Sequence, residues 1–269
     1  MRRFLILAFA ALPLLTHAQD TESYGAIWTE VGVTKVLPYN FSIDAAVGFR
    51  SFDWMEDANR FDASIGLDYK LGKYLKFGLS YTFIERHYLE EWKENYGNNS
   101  GRFNGYNVDA AHWAHRHRIS LDVTADKRFW KTLRISLRER YQYTHQAARD
   151  IDRTRYRDPS YDAEGNITEW EEIESVIKHK NAWDRHLLRS RLKFAIDKKG
   201  WLWEPFFSVE THNNMSDSWN LDKIRTAVGT EYSVSKQHKV SAAYVFTHEN
   251  EDEGNENIHA VSIGYKFKF

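Results

Sequence analysis

The 269-residue sequence contains no cysteine, only four prolines and no long hydrophobic run after Leu15. The lack of cysteine excludes disulfide bonds and cysteine nucleophiles. Because proline cannot donate to a strand ladder, its scarcity leaves room for uninterrupted β-strands. The net charge of −1 gives no argument for binding to nucleic acid, so we expect no nucleic-acid partner.

The first eighteen residues are typical of a secretory signal peptide. Two arginines at residues 2–3 precede an apolar region, residues 4–15, and the small-residue sequence Thr-His-Ala ends at Ala18. A membrane anchor is the alternative, but the apolar run is shorter than the ~20 residues of a spanning helix. We therefore predict a signal peptide at 1–18 and a single domain at 19–269.

The remainder of the chain alternates apolar and polar residues with a period of two. The segment 186–196 is the clearest case, because its even positions are mainly apolar and its odd positions include Arg189, Arg191 and Lys193. A helix would mix these two sets, whereas a strand separates them. An apolar face opposite a strongly basic face indicates a strand with lipid on one side and a wet interior on the other.

Eleven segments alternate in this way: 27–36, 41–50, 61–69, 75–83, 118–125, 133–143, 186–196, 203–211, 224–232, 240–246 and 261–269. The turns near residues 38, 72, 129, 199 and 236 are short, and the connections near 56, 100, 165, 217 and 253 are longer. This pattern predicts an all-β fold, a closed antiparallel up-and-down transmembrane β-barrel of 10–12 strands. We expect short periplasmic turns, long extracellular loops and a location in the cell outer membrane.

Two features of this prediction need explanation. Bacterial barrels have even strand numbers, so either segment 27–36 lies inside a ten-stranded barrel or one strand is misplaced. The stretches 88–113 and 144–184 do not alternate, and we predict long loops there. Turn-forming residues at 162–166 indicate a hairpin turn and lack the spacing of a calcium loop.

The best functional candidates are charged residues that the alternation directs into the barrel. We expect an interior lined by Arg116, Arg118, Arg134, Arg138, Arg140, Arg185, Arg189, Arg191, Arg225, Glu204 and Glu210. One interpretation is a charge-compensated interior, in which arginine–carboxylate pairs hold the barrel in shape. The alternative is a narrow anion-preferring channel for small acidic solutes or oligosaccharides, because rings of arginine favour anions in pores.

The sequence provides little support for an enzyme. His115 and His117 share one strand face at a possible metal spacing, but no further ligand accompanies them. His186 and Ser190 are about 13 Å apart along a strand, too far for a nucleophile and its base. We therefore predict no enzymatic activity, no catalytic residues, no metal and no cofactor, and we keep an outer-membrane lipid hydrolase as an alternative.

Short motifs carry a resemblance to known proteins. The ending Tyr265, Phe267 and Phe269 resembles the terminal signal that the barrel-assembly machinery reads in outer-membrane barrels. Segments 28–30, 188–194 and 204–210 are similar to a family of outer-membrane proteins from Bacteroidota that is known only as a domain of unknown function. This resemblance implies a barrel, outer-membrane lipids and the assembly machinery as partners, and no catalytic residues.

Overall fold

The fold is that of a computed structural model, which describes residues 22–97, 101–251 and 254–269. The predicted signal peptide at 1–18 is outside the described residues. Within these ranges, no helix has the length and hydrophobicity needed to span a bilayer.

The regular elements of the described residues are all β-strands. They are β1 (Glu22–Val36), β2 (Phe41–Phe52), β3 (Asp57–Leu71), β4 (Leu75–Tyr88), β5 (Glu91–Tyr96), β6 (Phe103–Asp109), β7 (His112–Phe129), β8 (Leu133–Gln146), β9 (Arg149–Tyr161), β10 (Ile167–Lys180), β11 (Trp183–Ile196), β12 (Trp203–Asn214), β13 (Asn220–Ser233), β14 (His238–Glu251) and β15 (Gly254–Lys268).

Eleven of these strands close into a barrel with the order β1-β15-β14-β13-β12-β11-β8-β7-β4-β3-β2. Each of the eleven alternating segments falls in one barrel strand, with only the last residue, Phe269, beyond the end of β15. Neighbours are antiparallel except at the closure, where β1 and β15 run parallel, with Ile27 opposite Val261. With an odd number of strands that reverse direction at every turn, the first and last necessarily point the same way.

This closure corrects two predictions. Segment 27–36 is part of the barrel wall, so it neither occupies the interior nor requires a misplaced strand. The barrel is also not wholly antiparallel, because β1 uses one edge to pair with β2 and the other to pair with β15. The count of eleven was correct, and the expectation of an even number was wrong.

The two stretches predicted as long loops form strands. The first stretch contains β5 and β6, and the second contains β9 and β10. These four strands pair as a separate sheet in the order β10-β9-β6-β5. The connections near residues 56 and 217 are short, because the barrel strands continue further than their apolar segments do. The predicted connection near residue 253 includes residues 252–253, which are outside the described residues. We call the barrel end that carries this sheet the sheet end, and the opposite end the turn end.

Tight hairpin turns connect several barrel strands. Four pairs of adjacent residues have positive φ angles, including Tyr39 and Asn40 at 58° and 67° and Trp130 and Lys131 at 45° and 62°. Two consecutive positive φ values are the signature of the type I′ turn, whose twist matches that of the flanking strands. The turn at 162–166 joins β9 to β10, as predicted, and the side chain of Asp162 accepts hydrogen bonds from two backbone N–H groups within it.

The alternation of the sequence becomes the two faces of the barrel wall. On β7, Leu121 faces outward and is 52% exposed, whereas its neighbours Ser120 and Asp122 face inward and are 2% and 9% exposed. Glu139 is an exception to this alternation, because it is a charged residue on the outer face. Its carboxylate accepts a hydrogen bond from Ser190 at 2.5 Å, and the strand pairing has no bulge at this position. The polar face therefore lines the interior of the barrel.

Candidate functional site

The predicted charged residues all lie on the inner face of the barrel. Arg116, Arg118, Arg185, Arg189 and Arg225 line a cavity at the sheet end. Lining residues of two overlapping cavities at the turn end include Arg134, Arg138, Arg140 and Arg191. Glu204 pairs with Arg134, and Glu210 lies between the two ends.

Glu210 is the centre of the most highly connected charge cluster in the interior. Its carboxylate is 2.7 Å from Arg138 Nη2, 2.5 Å from Arg189 Nη2, 2.9 Å from His212 Nε2 and 3.8 Å from Arg225 Nη1. The residue is only 4% exposed. Since Arg189 and Arg225 line the sheet-end cavity and Arg138 lines a turn-end cavity, this cluster separates the two.

The turn-end chamber comprises two overlapping cavities of about 1030 and 610 Å³. Most of the cations in its wall form close pairs with carboxylates. Lys193 and Lys239 lie 2.6 and 2.8 Å from the two oxygens of Glu231, Lys76 lies 2.8 Å from Asp68, and Lys266 lies 2.8 Å from Asp44. Further in, Arg140 donates to Asp122 at 3.0 Å. Most cations of this chamber therefore have a carboxylate partner.

The sheet-end chamber, a cavity of about 360 Å³, is different in charge. Its lining contains nine arginine or lysine side chains and two glutamates. The cations are Arg50, Arg60, Arg86, Arg116, Arg118, Arg185, Arg189, Lys223 and Arg225, and the acids are Glu249 and Glu256. Both acids already have partners, because Lys223 lies 2.7 Å from Glu249 and the Tyr24 hydroxyl donates to Glu256 at 2.6 Å.

Trp28 occupies the interior close to this basic chamber. The guanidinium carbons of Arg50 and Arg225 lie over its ring, at 4.6 and 4.8 Å from the centroid. Arg50 is on β2 and Arg225 on β13, and β14, β15 and β1 separate them along the wall, so they meet across the interior. The aromatic ring attracts both cations without neutralising them.

The sequence prediction missed four of the nine cations of the basic chamber. Arg50 ends the predicted segment 41–50 but was not among the site residues. Arg60, Arg86 and Lys223 lie outside the predicted segments. The last three lie where a barrel strand extends beyond its alternating segment. The available signal was the strand period of two, because Ser80, Thr82 and Arg86 share the inner face of β4.

The candidate histidines have ordinary partners on the outer face. His115 Nδ1 lies 2.5 Å from Glu85, His117 is hydrogen-bonded to the Tyr81 hydroxyl at 2.7 Å, and His186 to the Tyr141 hydroxyl at 2.6 Å. In the described part of the chain, no three histidine, aspartate or glutamate side chains are grouped as metal ligands. The Ser190 hydroxyl has a different partner, because it donates a hydrogen bond to Glu139.

The three residues of the C-terminal motif lie on or beside β15, next to the parallel closure. Tyr265 and Phe269 are exposed on the outer side, and the Tyr265 hydroxyl is hydrogen-bonded to His238 at 2.7 Å. The rings of Phe267 and Phe269 stack at 5.5 Å. Recognition of this motif by an assembly machinery remains a prediction.

Fold and site together define a class: an eleven-stranded closed β-barrel with an apolar outer face and a charged interior divided into two chambers. The chain belongs to the family described as Protein of unknown function (DUF2490), whose model matches residues 25–258. The predicted resemblance to a family of unknown function is thus confirmed. The match begins in β1 and ends in β15, so it spans nearly the whole barrel and the separate sheet. A comparison with curated proteins found no match.

Proposed function

We propose that the protein is an integral outer-membrane β-barrel without enzymatic activity, whose interior is held by charge pairs and closed midway by the Glu210 cluster. The observation that carries the membrane location is an apolar belt around the wall. Every barrel strand contributes at least one exposed large hydrophobic residue to it: Val31, Val47, Ile65, Leu79, Leu121, Leu137, Leu192, Phe207, Val228, Tyr244 and Ile263.

Strand pairing makes this belt continuous. Leu121 is opposite Leu79 on one side and Tyr141 on the other, and Leu192 is opposite Leu137. Soluble proteins rarely expose an apolar surface of this extent. In a bilayer the closed wall satisfies every backbone hydrogen bond and leaves no open strand edge in hydrocarbon.

Aromatic side chains at both ends of the barrel support this location. Trp54, Trp113 and Trp219 are exposed towards the sheet end, and Tyr39 and Trp130 are exposed at the turn end. Tyrosine and tryptophan prefer the two membrane–water interfaces, where ring and polar atom both find a suitable medium. The short turns of the turn end fit the periplasmic side, and the four-stranded sheet then lies outside the cell.

Two substitutions on β7 test the membrane location. Leu121→Arg places a charge on the belt, and we expect it to lower the unfolding free energy of the lipid-reconstituted protein by about 2–4 kcal/mol. Thr124→Arg is the matched control, because this side chain faces the turn-end chamber, where we expect a much smaller effect. Equal effects, or recovery of the native protein from cells without detergent, would contradict the proposal.

A second candidate function is a narrow anion-preferring path, which the excess of cations in the sheet-end chamber favours. Single-channel recording of the purified protein in planar bilayers distinguishes the two. The leading proposal predicts no stable conductance steps. Anion-selective steps that Arg138→Ala combined with Arg189→Ala weakens would support the channel instead. Lipid hydrolysis that a single serine or histidine substitution abolishes would support the lipid hydrolase.

A further inference from the structure

The sheet-end chamber holds buried positive charge that the protein does not neutralise. Arg50, Arg86, Arg116 and Arg118 point into it, and among the described residues none of the four has a carboxylate within ion-pair distance. Buried charges without counterions are costly in a protein interior. A chamber built from such groups is therefore expected to have a function that requires them.

The partners of these arginines are neutral. Arg118 Nε donates to the Thr144 hydroxyl at 2.9 Å, and Arg116 Nε donates to Gln146 at 2.7 Å. The guanidinium groups of Arg86 and Arg116 both lie over the Tyr88 ring, at 5.4 and 5.6 Å from its centroid. These contacts fix the orientation of the guanidinium groups and leave their charge available.

Some hydrogen-bond donors of the chamber are also unused. The buried Nε atoms of Arg86, Arg185 and Arg189 have no hydrogen-bond partner in the described part of the protein. Buried donors are nearly always hydrogen-bonded in native proteins, so each unpaired donor needs an explanation. Unpaired donors and uncompensated charge in one cavity are both features of an anion-binding site.

We infer that the sheet-end chamber binds a small phosphate-bearing anion with two or more negative charges. Guanidinium groups form paired hydrogen bonds to phosphate oxygens, and several of them converge here. The cavity volume of about 360 Å³ is at the lower end of the range of small-molecule pockets, which begins at roughly 300 Å³. A soluble phosphate ester and the phosphate of a lipid headgroup share this chemistry. The inference goes beyond the proposed function and does not require the barrel to conduct.

Calorimetric titration of the purified full-length protein in a neutral detergent tests the site, with sodium pyrophosphate as the probe. We expect saturable binding of the wild type, and binding at least tenfold weaker for Arg50→Gln combined with Arg118→Gln. Lys76→Gln combined with Lys266→Gln is the matched control, since it removes two cations from the turn-end chamber and should leave pyrophosphate affinity unchanged. Thermal unfolding by circular dichroism verifies that both double variants are folded.

Two results would overturn the inference: no saturable binding by the folded wild type, or equal weakening by the two double variants. The source of the phosphate is determined in nanodiscs. If adding phosphatidic acid to phosphatidylcholine nanodiscs abolishes pyrophosphate binding, a lipid headgroup occupies the site, and if binding is unchanged the ligand comes from solution. Membrane fractionation is scored separately, so loss of pyrophosphate binding in a membrane-embedded protein would overturn only this inference.

Discussion

The two chambers of the barrel interior are formed by the same strands but differ in how their charges are paired. In the turn-end chamber, four lysines and an arginine lie 2.6–3.0 Å from carboxylates. In the sheet-end chamber, four arginines without a carboxylate partner lie beside aromatic rings and neutral hydrogen-bond acceptors instead: Arg50, Arg86, Arg116 and Arg118. The first arrangement holds strands together, whereas the second maintains a positive field at a cost in stability.

Glu210 lies where the two arrangements meet, and its substitution should have the largest effect. Glu210→Gln would leave Arg138 and Arg189 buried without their anion, and breaking a buried ion pair in this way costs about 3–5 kcal/mol. Chemical denaturation followed by tryptophan fluorescence measures the loss. Glu204→Gln is the control, because it affects only the pair with Arg134, and an equal effect would show that Glu210 has no central role.

Outside the barrel, Asp109 provides a second buried acid that holds several cations. Burial disfavours its charged form, but hydrogen bonds from Arg153 at 2.5 Å, Lys178 at 2.8 Å and Lys180 outweigh this effect and lower the pKa of Asp109. A carboxyl with a depressed folded-state pKa stabilises the fold above its unfolded pKa, near 3.9, and this stability is lost as the pH falls towards the folded value.

We therefore expect the four-stranded sheet to loosen on acidification before the barrel does. Hydrogen-exchange protection in 149–180, corrected for intrinsic rates, should fall about tenfold between pH 7 and pH 3. Asp109→Asn should show this low protection already at pH 7 and little further change. Wild-type protection that does not change with pH would mean that Asp109 does not stabilise the sheet.

Removing a cation from the sheet-end chamber should raise the unfolding free energy, whereas the Glu210 substitution should lower it. Arg118→Gln removes one unpaired cation and keeps a group that can donate to Thr144, so we expect the unfolding free energy to rise by about 1 kcal/mol through reduced repulsion. Arg138→Gln is the matched control in the paired cluster and should lower it. The measurement uses buffer free of phosphate, because phosphate could bind in the chamber. Destabilisation by both variants would show that the arginines of the two chambers do not differ in this way.

The smallest effect is expected from the outermost pairs of the turn-end chamber. Lys76 and Lys266 each contact one aspartate, but their side chains are 47% and 55% exposed. Ion pairs that water reaches contribute only about 0–1 kcal/mol. Lys76→Gln should therefore shift the thermal midpoint very little, and a large shift would show that this chamber is less hydrated than its exposure indicates.

The barrel strands could be predicted from sequence, because each has an apolar outer face and a polar inner face. Each apolar segment needs hydrocarbon on one face and polar groups on the other, so a period of two identifies all eleven wall strands. No such contrast exists in β9 or β10, where charged residues occupy both faces, and these strands therefore read as loops. Arg60 and Arg86 were missed for the same reason, because their strands continue beyond the apolar belt into a region that is polar on both sides.

The charged interior was only partly predictable. Alternation correctly placed residues such as Arg138 and Glu210 on the inner face, but which of them pair depends on contacts between strands distant in sequence. Arg50 and Arg225 are an example, since they meet over Trp28 although 175 residues separate them along the chain. The alternation along one strand does not show which residues of other strands lie near it across the barrel.

The parallel pairing of β1 and β15 places the start of the first barrel strand and the end of the last one at opposite ends of the barrel. Because both strands run from the sheet end to the turn end, the polypeptide enters the wall at one rim and leaves it at the other. In the proposed orientation, a peptide tag inserted ahead of Glu22 would be accessible to antibody on intact cells, and one attached after Phe269 would be shielded in the periplasm. An even-stranded wall would bring both tags to the same compartment.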